Sequence, residues 1–246
     1  MIANKNFIFL TEVESTNNYA NHLVLSKAAD EGTVVLAQHQ KKGRGQQGNS
    51  WESEAGKNLL ASFILFPQFL TAANQFYLSK IISLALVDFL KPETENVTVK
   101  WPNDIYIQNR KVAGILIENS LKGSFISSSI IGIGLNLNQL EFVSDAPNPV
   151  SLKQITAKNY DVENVAVQIW EHFNIWYGKL QTGHLNEIDT AYFKILFRGN
   201  EWALFSKQGE CFEAKIIGIG EFGQLILEAR NGTISKYMFK EVEFVI

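Results

Sequence analysis

The chain has 246 residues, 46% of them hydrophobic and 19% charged, with a formal net charge of -3. That suits one large domain, or one domain and a small companion, around a real core. It speaks against general nucleic-acid binding, which needs a basic surface. A single cysteine, Cys211, rules out an internal disulfide and suits a reducing cytosol; its ordinary reading is a small buried hydrophobe. No long apolar run follows the N-terminal lysines, so no leader is expected. The most apolar long stretch, Phe76 to Leu90, is interrupted by Ser79, Lys80, Ser83 and Asp88, and reads as a buried helix rather than a membrane span.

In chain order, Phe7 to Leu10 predicts a short strand. A helix follows, capped by Ser15 or Thr16, with Tyr19, Ala20, Leu23 and Val24 at helical spacing. Thr33 to Ala37 reads as a buried strand, and Asn58 to Phe66 as another, stopped by Pro67. Thr71 to Leu90 predicts one long helix ending before Pro92. Val97 to Ile107 reads as a strand that must be bulged or at a sheet edge, because Pro102 interrupts it. Asn109 to Lys111 is a turn, Val112 to Glu118 a returning strand, and Phe125 to Asn138 a long strand with Gly132 and Gly134 inside. Glu141 to Val150 is a loop. Asp161 to Leu180 is the clearest amphipathic helix, ended by Gly183. After about Arg198 the pattern becomes four or five short strands with turn residues between them, a small barrel of about 50 residues. The expected fold class is α+β, a mixed sheet flanked by helices over 1–197 with a small β module over 198–246.

Two stretches carry chemistry-bearing residues. Gln38 to Trp51 packs Gly43, Gly45 and Gly48 around Arg44, beside Lys41 and Lys42. Glycines let the backbone take positive φ and bring main-chain N–H groups close to an anion. The same residues also suit a solvated hairpin loop. No G-K-[ST] follows, which excludes a Walker A loop, and Asn49-Ser-Trp in place of an apolar helix excludes a dinucleotide fingerprint. The second stretch is Lys100-Trp-Pro-Asn-Asp104, followed by Arg110-Lys-Val-Ala-Gly114. Lysine can neutralise phosphate or polarise a carbonyl, and Asn and Asp can hold Mg²⁺ or its waters; a charged edge strand with a turn is the bland alternative.

Over essentially its whole length the sequence resembles the biotin protein ligases. The resemblance rests on Ser15-Thr-Asn17, on Gly43-Arg-Gly-Gln-Gln-Gly48 with Trp51, and on Lys100 to Asp104. It continues through Lys111-Val-Ala-Gly114-Ile-Leu-Ile-Glu118 and Gly132-Ile-Gly134-Leu-Asn136, in the family's order. It implies a core related to class II synthetases with a C-terminal SH3-like barrel. It also implies a two-step reaction, in which biotin and Mg·ATP give biotinyl-5′-AMP and a carrier-domain lysine then takes the biotin. Carried over to this chain, the family's roles assign Ser15, Thr16 and Gln40 to the biotin ureido head. Asn17, Gly43, Gly45 and the backbone of Arg44 and Gly114 join the biotin pocket, and Trp51 walls off the acyl chain. Lys111 meets the biotin carboxylate, and Arg44, with Gln46, stands beside the phosphates. Lys100, Asn103 and Asp104 serve ATP, metal and transfer, with Asp104 the metal ligand, and Gly132, Gly134 and Asn136 meet the adenine. No Ser/His pair is required, so His22, His172 and His184 read as structural or surface residues, while His39 stands out because it adjoins Gln40.

The chain departs from the family where many members have basic residues and this loop has Gln46 and Gln47, so its positive charge rests on Arg44, Lys41 and Lys42. Weaker retention of the adenylate, or a greater reliance on backbone amides to hold it, is expected. The catalytic pattern begins within the first 15 residues, leaving no room for the DNA-binding domain of some members; a ligase without nucleic-acid or membrane contact is expected, in the cytoplasm, acting on the carrier domain of an acetyl-CoA carboxylase type of enzyme. A lipoate–protein ligase and a non-catalytic biotin sensor are the competing readings. An exposed sheet edge could pair two copies into a homodimer. The glycines also predict a loop that is loose without ligand and closes over it.

Overall fold

The computed structural model describes residues 6–143 and 148–245; the side chain of Gln47 lies outside that description, as do Met1 to Lys5, 144–147 within the expected Glu141 to Val150 loop, and Ile246. Strand β1 (Asn6–Val13), helix α1 (Thr16–Leu25) and strand β2 (Thr33–Gln40) form a parallel crossover unit, with Phe7 opposite Val34 and Val13 opposite Gln40. Strands β3 (Leu59–Leu65), β4 (Val97–Lys100), β5 (Asp104–Ile107), β6 (Arg110–Lys122) and β7 (Phe125–Leu135) complete a seven-stranded sheet of order β1-β2-β3-β7-β6-β5-β4, antiparallel beyond β2.

Alternation along the central strands builds two cores, because successive side chains of a strand point to opposite faces. Val34, Leu36, Ala61, Phe63 and Leu65 join the large core under helices α2 (Phe76–Leu90) and α4 (Val162–Gln181). Val35, Ile64 and Ile130 meet Ala20 of α1 on the other face. Helix α2 is buried on nearly every side, between the sheet and α4. Its Lys80 is tolerated there because Nζ lies 2.6 Å from Asp189 Oδ1 and over the Tyr77 ring.

Four expectations shift. Thr71 to Leu90 is not one helix: Thr71 bridges Phe125 and Ala72 N donates to Ser124 O, so the first turn, Ala72–Asn74, is 3-10 and the α-helix starts at Phe76. Val97 to Ile107 is two strands folded back on each other around Trp101–Asn103, with a cis Trp101–Pro102 peptide, and β4 is indeed the sheet edge. The following turn centres on Gln108, at φ 56°, and releases Arg110 and Lys111 into β6. Helices α3 (Leu152–Thr156) and α5 (Leu185–Lys194) add to the expected elements; α3 is too short to show a period, while α5 turns Ile188 and Tyr192 into the core with Leu185 and Ala191 beside them.

The C-terminal strands β8 (Trp202–Lys207), β9 (Glu210–Ile219), β10 (Leu225–Ala229), β11 (Ile234–Tyr237) and β12 (Glu243–Phe244) form a second sheet of order β11-β10-β9-β8-β12. Among the described residues these pairings make a small antiparallel sheet, with no pairing that closes it into a barrel. Its apolar residues Phe205, Ala214, Ile216, Leu225 and Val242 run into the large core. The buried Trp101 pins it down, donating from Nε1 to Gly223 O at 2.8 Å and packing edge-on against Phe239. Cys211, expected inside, is exposed on the outer side of β9.

Candidate active site

A cavity of ≈ 380 Å³ opens where the β1–α1 junction, the glycine-rich loop, the β4–β5 turn, the glycines of β6 and β7, and the end of the C-terminal sheet converge. Its lining includes Ser15, Thr16, Asn17, Gln40, Arg44, Gly45, Gln46, Trp51, Lys100, Asn103, Asp104, Lys111, Gly114, Gly132 and Gly134. Most of the residues singled out in the sequence therefore meet in one place, although they are spread over 120 positions.

The polar end is built from α1. Ser15 makes no side-chain cap; instead Gln40 Oε1 accepts from Thr16 N at 2.7 Å, so the helix start is capped from a neighbouring strand. Ser15, Thr16 and Asn17 are buried, and their position next to a strand end is what a pocket for a compact polar group requires. Asn17 lines the cavity while both ends of its amide serve protein partners: Oδ1 accepts from Ser62 Oγ at 2.6 Å and Nδ2 donates to Glu118 Oε2 at 2.7 Å.

The middle is a slot. Gly114 and Gly134 face each other across β6 and β7, and the Trp51 ring lies over the pair. A Cβ on Gly134 would stand 2.3 Å from Trp51 Cε2, and one on Gly114 2.8 Å from Trp51 Cζ3. These glycines are required by close approach rather than by backbone angle. Gly43 follows the same logic: its Cβ would meet Trp51 O at 2.3 Å, and it does not line the cavity. Only Gly48 of the loop glycines has positive φ, so the loop is a narrow hairpin, closed by Gly45 N to Asn49 O (2.7 Å) and Trp51 N to Gly43 O (2.9 Å).

The charged end carries Lys111 Nζ 2.7 Å from Asp104 Oδ1 and 5.6 Å from the Trp51 ring centre. Lys100 lies 5.2 Å from the Tyr106 ring and 5.6 Å from the Phe244 ring. Burial first, then the charges of Lys111 and Arg198, pull its ammonium below the ordinary lysine value, against Asp104 and Glu243. Asn103 Nδ2 donates to Ile115 O at 3.0 Å, which anchors the β4–β5 turn on β6. Arg44 Nη2 pairs with Glu118 Oε2 at 2.7 Å. Among the described residues no three His, Cys, Asp or Glu side chains cluster to hold a metal by themselves. The arrangement gathers cations beside a polar pocket and an aromatic slot, which suits joining an acid to a phosphate-bearing group.

Asn136 is placed differently from expectation. It lies behind the cavity, donating from Nδ2 to Val150 O at 3.2 Å, while its buried Oδ1 has no partner. His39 points away to Glu12 at 3.3 Å. The residues missed in the sequence are Ser62, Glu118 and the run Phe239, Lys240, Val242, Glu243 and Phe244. Ser62 did carry a signal, a lone hydroxyl in a strand of otherwise apolar buried residues; the C-terminal run carried none, because only docking of the second sheet brings it here.

Residues 9–136 match the family model described as the biotin/lipoate A/B protein ligase family. The chain is 32% identical over 233 residues to a biotin–[acetyl-CoA-carboxylase] ligase of Paracoccus denitrificans, covering 91% of this chain and 94% of that protein. It is 30% identical to the bifunctional ligase/repressor BirA of Bacillus subtilis over 94% of this chain and 72% of that one. The biotin protein ligase of Aquifex aeolicus, solved with biotin and ATP, superposes with a TM-score of 0.81 at 27% identity, over 98% of this chain and all of that one.

Proposed function

The chain belongs to the biotin/lipoate A/B protein ligase family, and on that premise we propose that it joins biotin to a carrier-domain lysine at the expense of ATP. The observation that carries this reading is one cavity whose ends match the two ends of the acid: polar Thr16 and Gln40 at one, Lys111 and Lys100 at the other, with Trp51 over the glycine slot between and Arg44 in the lining.

In the first step a biotin carboxylate oxygen attacks the α-phosphorus of ATP; the P–O bond to pyrophosphate breaks and biotinyl-5′-AMP forms. Two anions must meet, so the charges of Arg44, Lys100 and Lys111 have to be in place beforehand. A urea buried among hydroxyls and the Gln40 amide keeps its donors and acceptors matched, with Ser15, Thr16 and Gln40 as the partners and Gly45 and Gly114 as its backbone walls. In the second step the ε-amine of a carrier lysine attacks the acyl carbon, an amide forms, and AMP leaves. Lys100, Asn103 and Asp104, which line the charged end, would serve that transfer, and Gln46, Gly132 and Gly134 would flank the nucleotide. Asp104 is the carboxylate that would hold a Mg²⁺ brought in with the nucleotide, and the ion would supply charge neutralisation there. The fit is favourable only with phosphates present, because Asp104 is otherwise held by Lys111.

The division at residue 197 and an SH3-like character for the C-terminal sheet belong to the same proposal, supported by the second five-stranded sheet that starts at Trp202. A cytoplasmic setting fits the exposed, unpaired Cys211, and among the described residues no helix is long and apolar enough to cross a membrane. The test is incubation with biotin, Mg·ATP and a carboxylase carrier domain. A mass gain of one biotinyl group with release of pyrophosphate is expected. Absence of both, or transfer of lipoate in preference to biotin, overturns the proposal.

A further inference from the structure

Beneath the cavity runs a chain of hydrogen bonds that the two reaction steps do not themselves need. Gln40 Oε1 accepts from Thr16 N (2.7 Å) and lies 3.1 Å from Thr16 Oγ1. Ser62 Oγ sits 2.8 Å from Thr16 Oγ1 and donates to Asn17 Oδ1 at 2.6 Å. Asn17 Nδ2 donates to Glu118 Oε2 (2.7 Å), and the same oxygen accepts from Arg44 Nη2 (2.7 Å). The relay starts at the polar end of the cavity and finishes on the arginine of the glycine-rich loop.

Three features make it more than a set of contacts. Ser62 and Asn17 are buried, and a buried hydroxyl or amide holds its orientation because turning it would leave a polar group unpaired. Asn17 is wedged from below: a Cβ on Gly132 would stand 2.4 Å from its Oδ1, so the strand carries no side chain there and the amide lies directly on backbone. Glu118 is an acid paired to Arg44 of a cavity lining that gathers cations, where a negative charge weakens the field offered to an incoming anion. Its presence has a physical reason if its work is orientation. A guanidinium has five N–H donors in a rigid fork, so Arg44 can keep Nη2 on Glu118 and turn its other edge to a carboxylate or phosphate.

We propose that Glu118 is a positioning residue that sets Arg44, and with it the glycine-rich loop, in register with the Thr16–Gln40 end of the cavity, Ser62 and Asn17 being the buried transmission. The functional half of this statement rests on the ligase reading; the mechanical half does not.

The test uses the full chain and the variants Glu118→Gln, Arg44→Ala, their double variant, and Ser62→Ala, each first checked for an intact melting transition. Without ligand, tryptic cleavage after Lys41 and Lys42 is expected to rise about fivefold in Glu118→Gln, the size of effect a half-exposed charge pair commands. In the Arg44→Ala background the Glu118→Gln change should add nothing, because Glu118 acts through Arg44. Ser62→Ala, which touches neither residue, should raise loop cleavage as well as the biotin KM. With biotin and Mg·ATP, Glu118→Gln should release biotinyl-AMP into solution about fivefold faster. Cleavage of Glu118→Gln at the wild-type rate, an effect undiminished by Arg44→Ala, or a Ser62→Ala protein whose loop is unchanged would each overturn the proposal. If the wild-type protein turned over no biotin while the cleavage pattern held, the ligase reading would fall and the relay would stand.

Discussion

Replacing Gly134 by alanine isolates the role of the glycine slot. The new Cβ would lie 2.3 Å from Trp51 Cε2, 2.6 Å from Nε1 and 2.7 Å from Cζ2. Carbon atoms in contact settle at about 3.5–4.0 Å, so the ring has to withdraw by about 1 Å or more. Trp51 stands on a loop and is only half-buried, so the ring rather than the sheet gives way, and the stability cost stays at about 1 kcal/mol, or roughly 2–4 °C in Tm for a chain of this size. The cavity wall moves with the ring. A 1 Å misplacement of a wall that orients the reacting acid costs about 100-fold in rate. The assay pairs a thermal melt with calorimetric titration of biotin and a biotinyl-transfer assay. Gly123→Ala is the control: Gly123 has φ 63° in open space on the β6–β7 hairpin, so alanine there costs about 1–2 kcal/mol and leaves transfer unchanged. A Gly134→Ala protein with transfer within twofold of wild type would refute the reasoning, as would a loss that persists in full when Trp51→Ala is the starting background.

Lys111→Ala is expected to lower pyrophosphate release by at least about 100-fold with the melt little changed, since the residue is partly exposed and its main partner is Asp104; full activity in that half-reaction would remove Lys111 from the site. Trp101→Phe leaves Gly223 O without its buried donor and should destabilise the protein by about 1–3 kcal/mol in urea unfolding, with loss of a single cooperative transition if the C-terminal sheet comes away first. The carboxyl of Glu31 is held above its ordinary value of 4.5 by burial, against the Tyr177 hydroxyl and Phe66 N–H that bond it. Below pH 4.5 both folded and unfolded chains carry its proton; as pH climbs from there through the raised native value, the unfolded chain ionises first and stability falls. The difference in unfolding free energy between Glu31→Gln and wild type should therefore shift in favour of the variant across that window, and a difference independent of pH would count against the assignment.

The sheet could be read from the sequence where one face of the chain was decided locally. Val34 to Ala37 and Leu59 to Leu65 have to be buried strands because their side chains are apolar on both faces, and both are central. Asp161 announces α4 by capping Asn164 N. Helix α5 was legible in principle, with Leu185, Ile188, Ala191 and Tyr192 at helical spacing, whereas the break at Thr71 was not, because its cause, a bridge to Phe125, lies more than 50 positions away. The site followed the same division. Lys100, Asp104 and Lys111 stand out because charge at a strand end has no use in a core. Ser62 and Glu118 work only through partners on other elements, and the protein partners that hold both ends of the Asn17 amide lie 45 and 101 positions away. Gly114 and Gly134 were visible as glycines, but the ring that fixes them comes from the loop.

Phe239, Lys240, Val242, Glu243 and Phe244 share their cavity with Ser15 and Lys111. The cavity is thus a joint between two parts of the chain, and a molecule held in it is also a fastener. Ligand binding and docking of the C-terminal sheet become one free energy seen from two sides; a ligand at a hundred times its Kd adds about 2.7 kcal/mol to the hold of one part on the other. A protein cut in the stretch after Phe197 would reassemble in proportion to the ligand around it, and the degree of reassembly would serve as a gauge of that ligand's concentration.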